Sequence, residues 1–175
     1  MKNDFIKPVL ALTLICLVVS VALALMNSIT SPVTSAAAAA RYEAVMNSII
    51  PDAAGFEKIE PDGLPPTVRD VYRETGGAGY VFMITVKGYG GEIGIICGID
   101  PDGRIIHSAT ISQKETKGLG SIIADSWFED QFNNKDHRLE GISTVSGATI
   151  STRAFISAIR DAFEAFEIVV VSNNK

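Results

Sequence analysis

The chain has 175 residues, room for one modest domain with an additional segment, and 47% of them are hydrophobic while 20% are charged, which excludes a disordered or low-complexity polymer. Its formal net charge of −5 argues against nucleic acid as a partner and against docking on an anionic lipid surface. The two cysteines, Cys16 and Cys97, provide no disulfide framework.

A mean hydropathy of +0.25 is high for a soluble domain, and the first forty residues supply it. From Val9 to Met26 the sequence reads VLALTLICLVVSVALALM, without a charge. At about 1.5 Å per residue, such a helix covers most of a ~30 Å hydrocarbon core. A transmembrane anchor is expected over 9–30, in contact with the lipid bilayer. Lys2 and Lys7 against Asp4 in segment 1–8 favour a cytoplasmic N-terminus, with the rest outside. A cleaved signal peptide is the rival, with small residues at Ser35–Ala40, but its apolar stretch is ordinarily about 7–15 residues. A lipoprotein reading fails because Cys16 follows Leu14 and Ile15. Cys16 would lie in lipid and Cys97, within IGIICGI, reads as a small core residue.

Residues 31–66 read as a helix and a connection. The run AAAAARYEAVMNSI, Ala36 to Ile49, has good helix propensity and stops at Pro51, and 51–66 is rich in Pro, Asp and Gly, an irregular link. Residues 67–175 read as the folded domain. Val68–Glu74 and Tyr80–Lys87 are short β-branched and aromatic runs separated by GGAG. Glu92–Ile99 follows KGYGG, and Arg104–Ser112 follows the turn Asp100–Gly103, so 92–112 is expected to be an antiparallel hairpin. Ile122 to Phe132 suggests an amphipathic helix with Ser121 as N-cap. In the last element Phe155, Ile159, Phe163 and Phe166 fall at helical spacing, with charges on the other faces. The fold class is therefore α+β, an antiparallel sheet domain with packed helices behind one transmembrane helix.

Standard catalytic patterns are missing from the sequence: there is no Walker loop, no GxSxG and no nucleotide-binding GxGxxG after a strand. His107 and His137 stand apart, with no metal spacing, and read as surface or hydrogen-bonded histidines. KGYGG reads as a strand connector. Two segments remain. SGATIST, 146–152, opens the terminal helix: Ser146 or Thr149 could cap it and Gly147 could let the chain turn, or its free N–H groups could hold a phosphate. KETKGLG, 114–120, is either an ordinary strand-to-helix loop or one that folds back tightly and exposes Leu119.

Taken in order, KGYGGEI (87–93), IDPDGRI (99–105), ISQKETKGLG (111–120) and VSGATIST (145–152) resemble the FMN-binding domain family over about residues 80–165. That family includes the G subunit of the Rnf complex and the C subunit of the Na+-translocating NADH:quinone oxidoreductase. The resemblance implies FMN carried as a phosphoester on Thr149, attached by a separate flavin transferase using FAD. It implies Ser146, Gly147 and Ala148 as the recognition shell, and Glu115, Thr116, Gly118, Leu119 and Gly120 as the loop against the flavin. Three positions depart from the family pattern: Ser143 where an acid is usual, Lys117 where Pro is usual, and Gln113 where His is frequent. The single anchor and short outer domain look like the Rnf G subunit, a redox subunit of an ion-translocating oxidoreductase with no complete active site of its own. The implied partners are the other subunits of such a complex. The alternatives are the related quinone reductase subunit and a flavin-free, membrane-tethered assembly module.

Overall fold

In the computed structural model the residues described are 12–20 and 45–173. The chain divides into two compact units, Met1–Ala44 and Val45–Lys175. In the first, residues 12–20 are helical and exposed, with Leu12, Ile15 and Val18 each more than half accessible. Among the described residues no helix is long and apolar enough to cross a membrane, and most of the expected span, 9–30, lies outside them.

The second unit is built on five antiparallel strands in the order β1 to β5: β1 (Phe56–Ile59), β2 (Val68–Glu74), β3 (Tyr80–Lys87), β4 (Glu92–Ile99) and β5 (Ile105–Ser112). Every neighbour in the sheet is a neighbour in sequence, so short turns suffice to build it. β2, β3 and β4 have the bounds that the residue pattern suggested, and β5 begins one residue later. The hairpin turn closes as its chemistry requires: Gly103, at φ +76°, donates its N–H to the Asp100 carbonyl at 3.0 Å.

β4 is buried at every position after Glu92, which explains its unbroken apolar run: both faces of the sheet are covered. On one face Ile93, Ile95, Cys97 and Ile99 join Phe82, Ile84 and Val86 from β3 in the main core, the side-chain alternation of a pleated strand. Against them lies the terminal helix, Thr149–Asn173, through Phe155, Ile159 and Phe163. Phe155 meets Phe128 and Phe132 at centroid distances of 5.3 and 5.0 Å, and burying each such ring stabilises by about 1.5–3 kcal/mol. The other face is smaller. Residues 45–49 are helical, and Met46, Ile49 and Ile50 pack with Val81, Met83 and Ile96. Gly98 makes that approach possible, because a Cβ there would stand 2.4 Å from Ile49 Cγ2.

Two expectations change. The segment 51–66, expected as an irregular link, contains β1, which pairs with β2 from Phe56↔Glu74 to Ile59↔Val71. With residues 45–50 in the core, the folded unit takes in a stretch that the sequence pattern set apart from the domain. The single helix expected at Ile122–Phe132 is instead three short turns, Gly120–Ala124, Ser126–Glu129 and Asp130–Phe132. Asp125 is extended between the first two, and no side chain caps the first. Ser121 is not a cap; its hydroxyl accepts the Gly118 N–H at 2.9 Å. The broken path lets Ile123, Phe128 and Phe132 all enter one core, which one straight helix could not do. It also covers the open edge of β5: Glu129 Oε1 accepts the Thr110 N–H at 2.6 Å, and Lys135 and Asn134 bond the backbone of Ile105.

Candidate functional site

The terminal helix begins on an unusual corner. Gly147 sits at φ +84°, a conformation glycine adopts without strain, and Ala148 donates to the Val145 carbonyl. Thr152, fully buried, secures the entry: its hydroxyl accepts the Val145 N–H at 3.2 Å and donates to the Ala148 carbonyl at 2.9 Å. Among the described residues the hydroxyls of Ser146 and Thr149 make no hydrogen bond, so neither gives the expected cap. Among the described residues the N–H groups of Thr149, Ile150 and Ser151 therefore find no acceptor in the chain. The ladder starts with Thr152 N to Ala148 O at 2.9 Å. A helix start with orphan donors and a positive dipole end favours an anion.

In front of this corner lies a cleft of about 390 Å³, lined by Tyr89, Glu115, Thr116, Leu119, Gly120 and the run Gly147–Ser151. Seven of the nine residues expected at the site are there; Ser146 and Gly118 are not. The residues that pattern reading missed are Tyr89, Ile150 and Ser151. Tyr89 and Ile150 stand in segments already noticed, the KGYGG turn and SGATIST, but nothing local says that their side chains meet.

The loop 114–120 folds back on itself: Gly118 adopts φ +75°, and both Leu119 and Ser121 donate to the Thr116 carbonyl. Leu119 is left 52% exposed, Ile150 54% and Tyr89 73%, so three large apolar side chains rim a cleft whose floor carries free N–H groups. Glu115 is buried beneath. Its Oε1 accepts the Gly90 N–H at 2.9 Å and its Oε2 accepts the Ser151 hydroxyl at 2.5 Å. The turn 88–91 is thereby a connector, closed by Gly88 N to Gly91 O at 2.7 Å, and also a wall of the cleft.

Elsewhere the polar side chains serve the fold. His107 Nδ1 lies 3.0 Å from Asn133 Oδ1. Burial pushes the Cys97 thiol well above its ordinary range. No group of three or more metal-ligating side chains forms among the described residues.

Free amides at a helix start, a partnerless hydroxyl on the same turn and an apolar rim define a class. Such a cleft suits a molecule that joins an anionic group such as a phosphate to an apolar body, and FMN is one such molecule. Residues 88–164, a span that takes in most of the turn, the loop and the helix start, match the FMN-binding domain family. The chain is similar to the G subunit of the proton-translocating ferredoxin:NAD(+) oxidoreductase complex of Clostridium ljungdahlii. They are 28% identical over 166 residues, 87% of this chain and 86% of that protein. The G subunit of the Na(+)-translocating ferredoxin:NAD(+) oxidoreductase complex of Acetobacterium woodii is 27% identical over 187 residues, 90% of this chain and 89% of that protein. Among solved structures, Shewanella oneidensis NqrC aligns with a TM-score of 0.48 at 20% identity, over 66% of this chain and 65% of that one.

Proposed function

We propose that this chain is a membrane-anchored electron carrier, the G subunit of an Rnf-type ion-translocating ferredoxin:NAD oxidoreductase, with FMN esterified through its phosphate to Thr149. The observation that carries the attachment is the state of the helix hydroxyls. Ser151 is buried and donates to Glu115, Thr152 is buried and bonded to Ala148, and Ser146 lies off the cleft. Thr149 is exposed and lines the cleft, and among the described residues its hydroxyl makes no hydrogen bond. Of the helix hydroxyls that line the cleft, Thr149 and Ser151, it is the one that can be modified without breaking a bond of the fold.

Attachment joins Thr149 Oγ1 to the phosphorus of the FMN half of FAD. The pyrophosphate bond breaks, AMP leaves, and the hydroxyl proton passes to the transferase or its leaving group. The amides of Thr149, Ile150 and Ser151 would hold the phosphate oxygens, with Leu119, Ile150 and Tyr89 shielding the ring from water. Bound FMN supplies a group that takes up and releases electrons singly or in pairs. The chain's part is to fix the ring, to set the polarity around it and to tether it near its partners. A helix at 12–20 with apolar residues exposed all round belongs in lipid, and the lysines of segment 1–8 favour the FMN domain on the extracytoplasmic side.

The mass of the protein purified from membranes tests the attachment: it should exceed the chain by FMN less water, with the increment on the peptide containing Thr149. Thr149→Ala should lose all covalent flavin and keep the wild-type melting temperature, since its hydroxyl bonds to nothing; Thr149→Ser should retain part. A denatured T149A protein that still fluoresces as a flavin would sink the assignment. Protease added to spheroplasts should digest the domain, and full protection until lysis would reverse the orientation.

A further inference from the structure

We infer that Glu115 is a positioning residue for cofactor attachment: its buried carboxylate clamps the β3–β4 turn to the start of the terminal helix. The inference rests on the proposed modification of Thr149. Glu115 reaches 25 residues back to Gly90 and 36 residues forward to Ser151, so one side chain ties together the three segments that wall the cleft. Both oxygens are turned to donors of the protein.

The surrounding glycines are fitted to this carboxylate. A Cβ on Gly88 would stand 2.3 Å from Glu115 Oε1, and one on Gly120 would stand 2.5 Å from Oε2 and 2.6 Å from Ser151 Oγ. A Cβ on Gly90 would meet the Lys114 carbonyl oxygen at 2.2 Å. Three glycines from two segments thus make room for one acid and its chain neighbour, as an assembled joint requires. Its bond to Ser151, two residues beyond Thr149, fixes the first helical turn. Its bond to Gly90 sets the turn that carries Tyr89. The clamp uses only protein groups, so the cleft is arranged before a ligand arrives, and ordering that would otherwise oppose binding is already paid.

The test follows flavin transfer from FAD onto the full chain by a flavin transferase, reading intact mass against time, the visible circular dichroism of attached flavin, and thermal unfolding. Glu115→Ala should slow attachment about ten- to a hundredfold, the usual scale for a displaced reacting group, and alter the visible dichroism. Glu115→Gln should recover most of both, because its amide can accept from Gly90 and donate to Ser151. Ser151→Ala, which loses one of the two bonds, should fall between. Wild-type rate and dichroism in Glu115→Ala overturn the inference. Where Glu115→Ala does not fold, Ser151→Ala decides, and its behaving as wild type has the same force. No flavin on the wild-type chain, or equal flavin on Thr149→Ala, overturns the attachment reading and this inference with it.

Discussion

At the two ends of β3, a glycine-rich turn is gripped by a buried glutamate, and the two corners differ in what they leave open. At the first, Glu74 takes the N–H of Ala54 on one oxygen and that of Ala78 on the other, both at 2.8 Å, binding the GGAG turn to the residues leading into β1. At the second, Glu115 binds the KGYGG turn to the terminal helix. The device is the same: a carboxylate satisfies backbone donors that a tight turn leaves orphaned. Around Glu74 the structure closes, and Thr75 adds a bond to the Gly55 carbonyl. Among the described residues, three helix amides, the hydroxyls of Thr149 and Thr116, and the exposed side chains of Leu119, Ile150 and Tyr89 remain unpartnered beside Glu115. A corner becomes a site through what it leaves unsatisfied, as much as through the groups that hold it.

Substitutions at the glycines press on this contrast hardest. Gly90→Ala drives a methyl into backbone at Lys114, which cannot swing aside, and should cost about 1–3 kcal/mol together with much of the flavin. Gly76→Ala brings a methyl to 3.0 Å from the Glu74 carboxylate, a side chain rather than backbone, and should cost less than Gly90→Ala with flavin content unchanged. Melting curves and flavin-to-protein ratios separate the two, and equal losses would erase the distinction between the corners.

A milder effect is expected from Glu74→Ala. It leaves two backbone N–H groups without their acceptor and should lower the melting temperature by several degrees, while attached flavin stays at the wild-type level. Flavin lost in step with Glu115→Ala would mean that both corners serve the cleft.

The smallest expected effect is in the pH dependence. The N–H groups of Ala78 and Gly76 are the main cause that holds the Glu74 carboxyl below its ordinary value of 4.5. Its contribution is therefore complete above about that pH and is lost as pH falls through the lowered value. Glu129 has the opposite sign. Burial pushes its carboxyl above 4.5, against the bond from the Thr110 N–H, so its contribution is complete below about 4.5 and is lost as pH rises through the raised value. In melting temperature against pH, Glu74→Gln should flatten the acid limb and Glu129→Gln should remove the decline that begins above 4.5. A Glu129→Gln curve parallel to wild type would show that this acid titrates normally in the fold.

What was legible in the sequence follows from range. β2, β3, β4 and the terminal helix are set by the alternation or helical spacing of their own residues, and the motif glycines mark backbone that a side chain would obstruct. β1 was not legible, because FEKI is a half-exposed edge strand whose structure comes from β2 rather than from its own pattern. The helix expected at 122–132 failed because a core shared with Phe155 outweighs local propensity. The capping expected at 146–149 is absent: the N–H groups a cap would accept stay open to the cleft, while Thr152, a turn further on, secures the entry through Val145 and Ala148.

At the cleft the division is similar. Sequence alone determined that a hydroxyl-rich helix start, open to capping or to a phosphate, a double-glycine loop and a glycine-rich turn are present in one chain. Only the tertiary structure decided that they face one another, that Thr149 is the helix hydroxyl left free in the cleft, and that Tyr89 and Ile150 complete the rim. The physical reason is that a buried carboxylate requires donors to offset its desolvation, and the donors that Glu115 found are 25 and 36 residues away in the chain.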